Sequence, residues 1–270
     1  MKKVCHLALA VLLLSVSFSS IRAEDIRIVC PYVGPISDTY QNNDRNLELK
    51  DHSLLKGVFF QWVNTNRYQW NAFLYQSSEI NYSTLWGGHF FFDYYLNATK
   101  QGKFVIGAGT EYLLIDMDAQ NHISPLSDFK MKNNILVPYL RFGYRFQINS
   151  ANVKTAVLPW LGGEHQRVWG DLSTTMDPPG PAPATTTTAT IKDNSNYGMA
   201  GLNFTATIFH MLGVEAKYYG SFNSDDYFST FNGMINVFLT RHVGVSYRFK
   251  YMEMTVGSHY YNIFGLAVMF

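Results

Sequence analysis

The chain has 270 residues, of which 16% are aromatic and only 15% are charged, and its formal net charge is +1. Soluble domains usually carry about 25% charged residues. The sequence contains no polybasic run, so neither nucleic acid nor an anionic lipid headgroup is indicated as a partner. The two cysteines are Cys5, within the N-terminal leader, and Cys30. One cysteine after the leader excludes an internal disulfide framework.

The first 23 residues predict a secretory signal peptide. Lys2 and Lys3 precede an apolar core from Leu7 to Val16, which is followed by small and polar residues. This core is shorter than the ~20 apolar residues that a transmembrane helix requires. We expect cleavage after Ala23 and a single domain over residues 24–270.

After the leader, alternating apolar and polar residues predict a series of β-strands. Successive side chains of a strand point to opposite faces, so the apolar residues share one face and the charges share the other. Aromatic residues stand at the ends of the apolar faces, as in the girdles of transmembrane barrels. Since no segment after residue 23 is long and apolar enough for a spanning helix, we expect an all-β protein, a transmembrane antiparallel up-and-down β-barrel. The segments with this pattern are WGGHFFFDYYL (86–96), FVIGAGTEYLL (104–114), LVPYLRFGYRFQI (136–148), LNFTATIF (202–209), LGVEAKYYGSF (212–222) and VGVSYRFKY (243–251).

The number of strands depends on two segments. About eleven strand-like segments follow residue 54, and a further strand at DIRIVCPYV (25–33) gives twelve, an even number as in bacterial single-chain barrels. Pro31 weakens that first strand, because proline cannot donate to the ladder. Merging residues 54–65 with 68–80 would instead give ten strands, so we expect twelve and keep ten as the alternative.

The connections between these segments alternate in length. Outer-membrane barrels have short periplasmic turns and long external loops, so the two longer segments, 117–133 and 171–195, are predicted to be external loops. The second contains the stretch DPPGPAPATTTTAT (177–190), whose composition buries too little apolar surface to fold. The short links lie at 97–102, 149–153, 210–212 and 240–242.

The last strand, YYNIFGLAVMF (260–270), carries apolar residues at alternate positions and ends on an aromatic residue. It resembles the C-terminal signature of Gram-negative outer-membrane β-barrel proteins. The resemblance implies export to the bacterial outer membrane, contact with its lipid, and recognition of this strand by the outer-membrane assembly machinery. The residues that carry the signature are Tyr260, Phe264, Leu266, Val268 and Phe270.

Charged residues on the polar strand faces are predicted to line the barrel lumen. A basic excess around a water-filled pore favours anions, whereas paired charges would plug a narrow barrel, because small barrels fill their interior with side chains. The first hypothesis is therefore a narrow pore or passive channel for small hydrophilic solutes, favouring anions. The second is a plugged barrel with an adhesin or envelope role that acts through its external loops. The lumen candidates are Asp93, Glu111, Arg141, Arg145, Glu215, Lys217, Arg248 and Lys250.

The sequence does not indicate a catalytic site. His165 is the strongest candidate, because Glu164 and Asp171 are close in sequence, but no motif of an outer-membrane hydrolase accompanies it. The spacings typical of metal ligands and of phosphate-binding glycine loops are absent, so no metal and no cofactor is expected. The glycines within GAGTEY (107–112) are interpreted as strand positions that make room for neighbouring side chains. The solute and the oligomeric state are left open.

Overall fold

Twelve antiparallel strands form one closed barrel. The computed structural model describes residues 25–42, 47–64, 66–78, 83–96, 99, 101–119, 126–177, 183–209, 211–254 and 257–270, and the predicted signal peptide with its cleavage at Ala23 lies outside them. The predicted fold class and the count of twelve are confirmed, and the alternative of ten strands is wrong. The strands are β1 (Asp25–Asn42), β2 (Leu47–Asn64), β3 (Tyr68–Ser78), β4 (Ser83–Leu96), β5 (Gly102–Asp118), β6 (Leu126–Asn149), β7 (Val153–Met176), β8 (Thr185–Ile208), β9 (Leu212–Phe222), β10 (Tyr227–Phe238), β11 (Val243–Met254) and β12 (Gly257–Met269).

The uncertain first strand is present and longer than expected. β1 begins at Asp25, as predicted, but continues past residue 33 to Asn42. Pro31 is tolerated within it because of where its ladders run. The ladder from β1 to β12 skips Cys30 and Pro31, whereas the ladder to β2 continues through both. The proline therefore occupies a position where one of the two ladders is already interrupted.

The barrel closes where β1 pairs with β12, in a register that runs from Ile28 opposite Met269 to Tyr40 opposite Gly257. The other neighbours follow chain order around the wall. Because every strand of the barrel has a partner on both sides, the backbone groups at membrane depth are paired within the sheet. Asp25 and Phe270 lie at the same end, where the N–H of Phe270 donates to the carbonyl of Arg27 at 2.9 Å.

The connections at the two ends differ, but less than expected. The predicted short links join strands at the end that carries Asp25 and Phe270, and a further one lies at 65–67. The two segments expected as external loops are mostly strand. β5 continues to Asp118 and β6 begins at Leu126, while β7 continues to Met176 and β8 begins at Thr185. The threonine-rich part of 177–190 is therefore strand, because β-branched residues favour paired extended backbone.

Large apolar side chains cover the outside of the wall. Leu140 and Phe142 are each 57% exposed, Leu161 is 66% exposed, and they alternate with buried or polar neighbours. Aromatic rings cluster on this outer side, for example Trp62 and Trp70 at 6.1 Å between centroids. An apolar belt of this extent around a closed barrel is the surface of a protein that lipid surrounds. Within the described ranges, no helix is long and apolar enough to cross a membrane.

Three strands continue far beyond the barrel at the external end. β6, β7 and β8 have 24 residues each, against 12 for β10 and β11. About 9–11 residues cross a bilayer, whereas Ile135 and Gln166 still line a cavity of the lumen. The parts of the three strands beyond these residues and beyond the end of β9, at 126–134, 167–176 and 185–197, form a projecting sheet, here called the outer sheet. β5 runs alongside β6 as far as Lys130, near the external tip, where Lys130 lies 3.5 Å from Asp118 and 3.6 Å from Asp128. These two carboxylates raise the pKa of Lys130.

Candidate functional site

The barrel interior contains all eight charged residues that the sequence predicts for the lumen. Each of them lines one or both of two adjoining cavities, of about 20 and 70 Å³. Their placement follows from the two-residue period of a strand, which fixes the side of the wall to which each side chain points. The eight residues are Asp93, Glu111, Arg141, Arg145, Glu215, Lys217, Arg248 and Lys250.

In the part of the barrel that the structure describes, three adjoining cavities are stacked along the lumen. The inner cavity, of about 20 Å³, lies toward the short-turn end and contacts Gln69 and Thr205. The middle cavity, of about 70 Å³, shares Phe91, Asn203 and Lys217 with it. The outer cavity, of about 60 Å³, lies toward the outer sheet. It shares with the middle cavity the side chains of Glu111, Val137, Glu164 and Tyr219. Single side chains, not backbone, therefore separate neighbouring cavities.

A buried ion pair joins Asp93 on β4 to Arg141 on β6. Arg141 donates from Nε to Oδ1 at 3.1 Å and from Nη2 to both carboxylate oxygens at 2.8 and 2.7 Å. The two residues reach each other across β5 because Gly107 lies between them in the register. A methyl group on Gly107 would meet the Asp93 carboxylate and lie 2.8 Å from Cγ of Arg141. The interpretation of this glycine as room for neighbouring side chains is thus confirmed.

The partition between the inner and middle cavities is a second charged group. Lys217 and Glu215, two residues apart on β9, form an ion pair at 2.5 Å between Nζ and Oε1. The same ammonium lies 4.3 Å from the centroid of the Phe91 ring, which gives it a cation–π contact as well. Asn203 completes the partition and accepts a hydrogen bond from Nε1 of Trp160 at 3.0 Å.

The partition between the middle and outer cavities crosses the whole lumen. Glu111 belongs to β5 and Lys250 to β11, and these strands lie six positions apart in the ring of twelve. Their side chains nevertheless form an ion pair. Because the two strands stand on opposite walls, this pair is a bar across the barrel axis. It keeps the middle of the lumen narrow.

A cluster of large apolar side chains fills the side of the lumen formed by β1–β3 and β12. Tyr32, Phe59, Phe73 and Tyr261 are at most 4% exposed and belong to one buried cluster. Arg248 lies against this cluster, with its guanidinium 4.5 Å from the Phe59 ring and 4.9 Å from the Phe73 ring. The sequence pattern does not predict this aromatic cluster inside the barrel. Aromatic residues occur on both faces of the strands, so their positions do not show which of them point inward. The polar cavities are left on the opposite side.

Several interior titratable groups lie outside the set that the sequence predicts, among them His89, which lines the middle cavity, and Lys103, whose Nζ is 3.7 Å from the centroid of the Tyr95 ring. Glu164 lines the middle and outer cavities, although the sequence singles it out only as a neighbour of His165. Asp38 and His259 form a buried pair across the seam of the barrel, at 2.6 Å between Oδ1 and Nδ1. Adjacent residues of a strand point to opposite faces, and this rule alone would have separated Glu164 from His165.

Glu164 also changes the charge balance. Apart from Glu253, which accepts a hydrogen bond from Ser229 at the rim, five basic and four acidic side chains line the three cavities. The predicted basic excess is therefore reduced to one. The basic residues are Arg141, Arg145, Lys217, Arg248 and Lys250, and the acidic ones are Asp93, Glu111, Glu164 and Glu215.

The residues considered for catalysis do not come together. His165 lies on the outer side of β7, where its Nδ1 is 2.9 Å from Oδ1 of Asn196, while Glu164 points into the lumen. Asp171 is six residues further along the same strand, ~20 Å away at ~3.3 Å per residue. In the part of the chain that the structure describes, no three His, Cys, Asp or Glu side chains are placed to hold a metal ion.

We expect Arg141→Met to lower the free energy of unfolding by about 3–5 kcal/mol, because the substitution leaves the Asp93 carboxylate buried without its partner. The measurement is urea unfolding of the refolded protein in lipid, followed by tryptophan fluorescence. The double variant Asp93→Leu with Arg141→Met removes both charges and should recover most of the loss. Equal losses in the single and double variants would contradict the assignment.

We expect Gly107→Ala to cost about 1–3 kcal/mol, as overpacking of a filled interior does, since its methyl group would collide with the Asp93–Arg141 pair. Gly163→Ala is the matched control, because the nearest atom to its methyl group, the carbonyl oxygen of Tyr197, is at an ordinary 3.5 Å. The same urea titration checks both. A control as unstable as Gly107→Ala would contradict the packing interpretation.

Comparison with known proteins supports the fold. No family model and no curated protein matches the sequence. The translocator domain of autotransporter NalP from Neisseria meningitidis is similar with a TM-score of 0.55 and 11% identity, over 98% of this chain and 95% of that one. The transport unit of autotransporter AIDA-I from Escherichia coli gives 0.53 and 12%, over 97% and 96%. The chain therefore has the fold of Gram-negative outer-membrane β-barrel proteins.

Proposed function

We propose that the protein is a narrow pore of the bacterial outer membrane for small hydrophilic solutes. The observation that carries this proposal is the stack of three polar cavities along the lumen, in which neighbours share lining side chains. Side chains rearrange far more readily than a strand wall, so small rotamer changes at the two partitions would connect the cavities into one path. In the conformation described, the path is closed at these partitions.

The size of the path limits the solutes. A cavity of ~10–15 Å³ is the smallest that holds one water molecule, so cavities of about 20, 60 and 70 Å³ hold only a few each. Inorganic ions and solutes of a few heavy atoms fit this scale. With five basic and four acidic residues along the path, we propose at most a slight preference for anions, weaker than the sequence alone predicts.

We further propose that the chain reaches the membrane as the C-terminal signature implies, after cleavage near Ala23. Tyr260, Phe264 and Leu266 are 41%, 60% and 50% exposed on the outer side of β12. This side is available to lipid and to the assembly machinery until β12 closes the barrel against β1. No hydrolytic activity is proposed, since Glu164 and His165 lie on opposite faces of their strand.

A plugged barrel that acts through its external parts is the second candidate. The bar formed by Glu111 and Lys250 favours it, because this ion pair joins opposite walls at mid-lumen. The projecting outer sheet supplies the surface that such a protein would present. Conductance separates the two candidates.

The experiment is single-channel recording of the refolded protein in a planar bilayer under a salt gradient. The wild type should give steady openings of small conductance with a reversal potential near zero. Phe91→Ala removes the ring between the inner and middle cavities, and Glu111→Ala with Lys250→Ala removes the bar without leaving an unpaired charge. We expect each variant to conduct more than the wild type, and their combination to conduct most.

Phe90→Ala is the matched control, because Phe90 is the preceding residue of the same strand and is 43% exposed on the lipid side. Its conductance should equal that of the wild type. If insertion is verified and neither the wild type nor the combined variant conducts, the pore is wrong and the plugged barrel takes its place.

A further inference from the structure

The outer sheet has a long unpaired edge on β8. Within the described residues, 185–208 pair with β7 along their whole length, but β9 pairs only with the portion from Gly198 onward. Residues 185–197 thus have a strand on one side only. Residues 185–190 are all exposed. At ~3.3 Å per residue, this edge is ~43 Å long.

The first seven residues of this edge, 185–191, lack the usual protection against pairing, and Lys192 and Asp193 follow them. Proteins commonly blunt an exposed edge with lysine, proline, a bulge or a covering segment. From Thr185 to Ile191 the sequence is TTTTATI, without charge or proline, and its register with β7 is unbroken. These residues are β-branched with one exception, so they favour a strand neighbour on either side. Such an edge is a template for another extended segment.

The threonine ladder inside the chain indicates what that segment is. On β7, Ser173, Thr174 and Thr175 stand opposite Thr188, Thr187 and Thr186. The hydroxyls of Thr175 and Thr186 are 3.0 Å apart. The segment of β7 that pairs with this part of β8 is therefore itself a short run of residues with hydroxyl side chains. The 185–191 segment of a second copy has the same chemistry and is already extended.

We propose that β8 is a self-association site, at which residues 185–191 of two copies pair antiparallel about a two-fold axis through Thr188. In this register Thr186 stands opposite Thr190 and Thr187 opposite Ala189 of the other copy. Lys192 lies opposite Ala184, so no like charges meet. Each pair in this register joins residues whose numbers differ by an even amount, and alternate residues of a strand point to the same face. Side chains that face one side of the sheet in one copy therefore meet side chains that face the same side in the other copy.

The direction of β8 decides which copies pair. In every copy of one membrane, β8 runs from the external tip toward the short-turn end, so two neighbours in that membrane present parallel strands. Antiparallel pairing requires copies that face each other from two membranes. The outer sheet projects away from the bilayer and thus carries this edge to where the opposite copy lies. The site is accordingly a contact between facing surfaces, and it is independent of conduction through the lumen.

Charge substitutions on the axis test the proposal. In Thr188→Lys each lysine would face the lysine of the other copy, and in Thr188→Asp each aspartate would face an aspartate. We expect the wild type to form dimers in detergent by sedimentation velocity and to cluster proteoliposomes. Each variant alone should dimerise at least about fivefold more weakly, as like charges directly opposite destabilise a pair. An equimolar mixture of both variants should dimerise at least as well as the wild type.

Rescue by mixing distinguishes a direct contact from damage to the fold, because two misfolded variants would not restore each other. Ala151→Lys is the matched control. It adds the same charge in an exposed turn at the opposite end of the barrel, and its dimerisation should be unchanged. A wild type that stays monomeric in detergent and leaves proteoliposomes dispersed would overturn the proposal. So would a mixture that dimerises no better than its components.

Discussion

Closure of the ladder between β1 and β12 is the constraint on which the rest of this molecule depends. A backbone N–H or C=O left unpaired in hydrocarbon costs several kcal/mol, so a sheet that crosses a membrane must have no edge there. Here the first and last strands supply each other's partners, in a register from Ile28 and Met269 to Tyr40 and Gly257. Closure with twelve strands fixes the barrel diameter, and it decides which strands stand opposite each other across the lumen.

A barrel of this diameter has a lumen too wide for small inward-pointing side chains to fill. Large side chains of two kinds fill it instead. Aromatic and aliphatic side chains occupy one side, where Phe59 and Phe73 pack with Arg248. Charged side chains occupy the other, and most of them are paired there, because an unpaired buried charge is costly. The Glu111–Lys250 pair is the consequence that matters for function. The interaction that satisfies two buried charges also obstructs the path through the barrel.

The sequence predicts the wall of this barrel well because the wall obeys a local rule. Alternation within LVPYLRFGYRFQI is enough to place Arg141 and Arg145 inside and Leu140 and Phe142 outside. The pairing of Glu111 with Lys250 obeys no local rule, since it joins residues 139 positions apart whose strands are opposite only when the count is twelve. The sequence does not predict the outer sheet, for a different reason. The threonine, alanine and proline of segment 177–190 indicate a low-complexity loop by composition. Threonine opposite Ser173 and Thr175 is nevertheless a good strand residue.

The outer sheet shows what happens where the closure constraint no longer applies. Beyond the bilayer, water satisfies a free edge, so β8 can continue past the end of β9 without the penalty that would forbid this in lipid. Tolerance by water does not explain why residues 185–191 of this edge carry neither charge nor proline, since such edges invite pairing and are usually blunted. The direction of β8 limits which copies can pair through this edge. Neighbours in one membrane present β8 in parallel, and a parallel ladder is less stable per residue than an antiparallel one. The edge finds an antiparallel copy only on a surface that faces it.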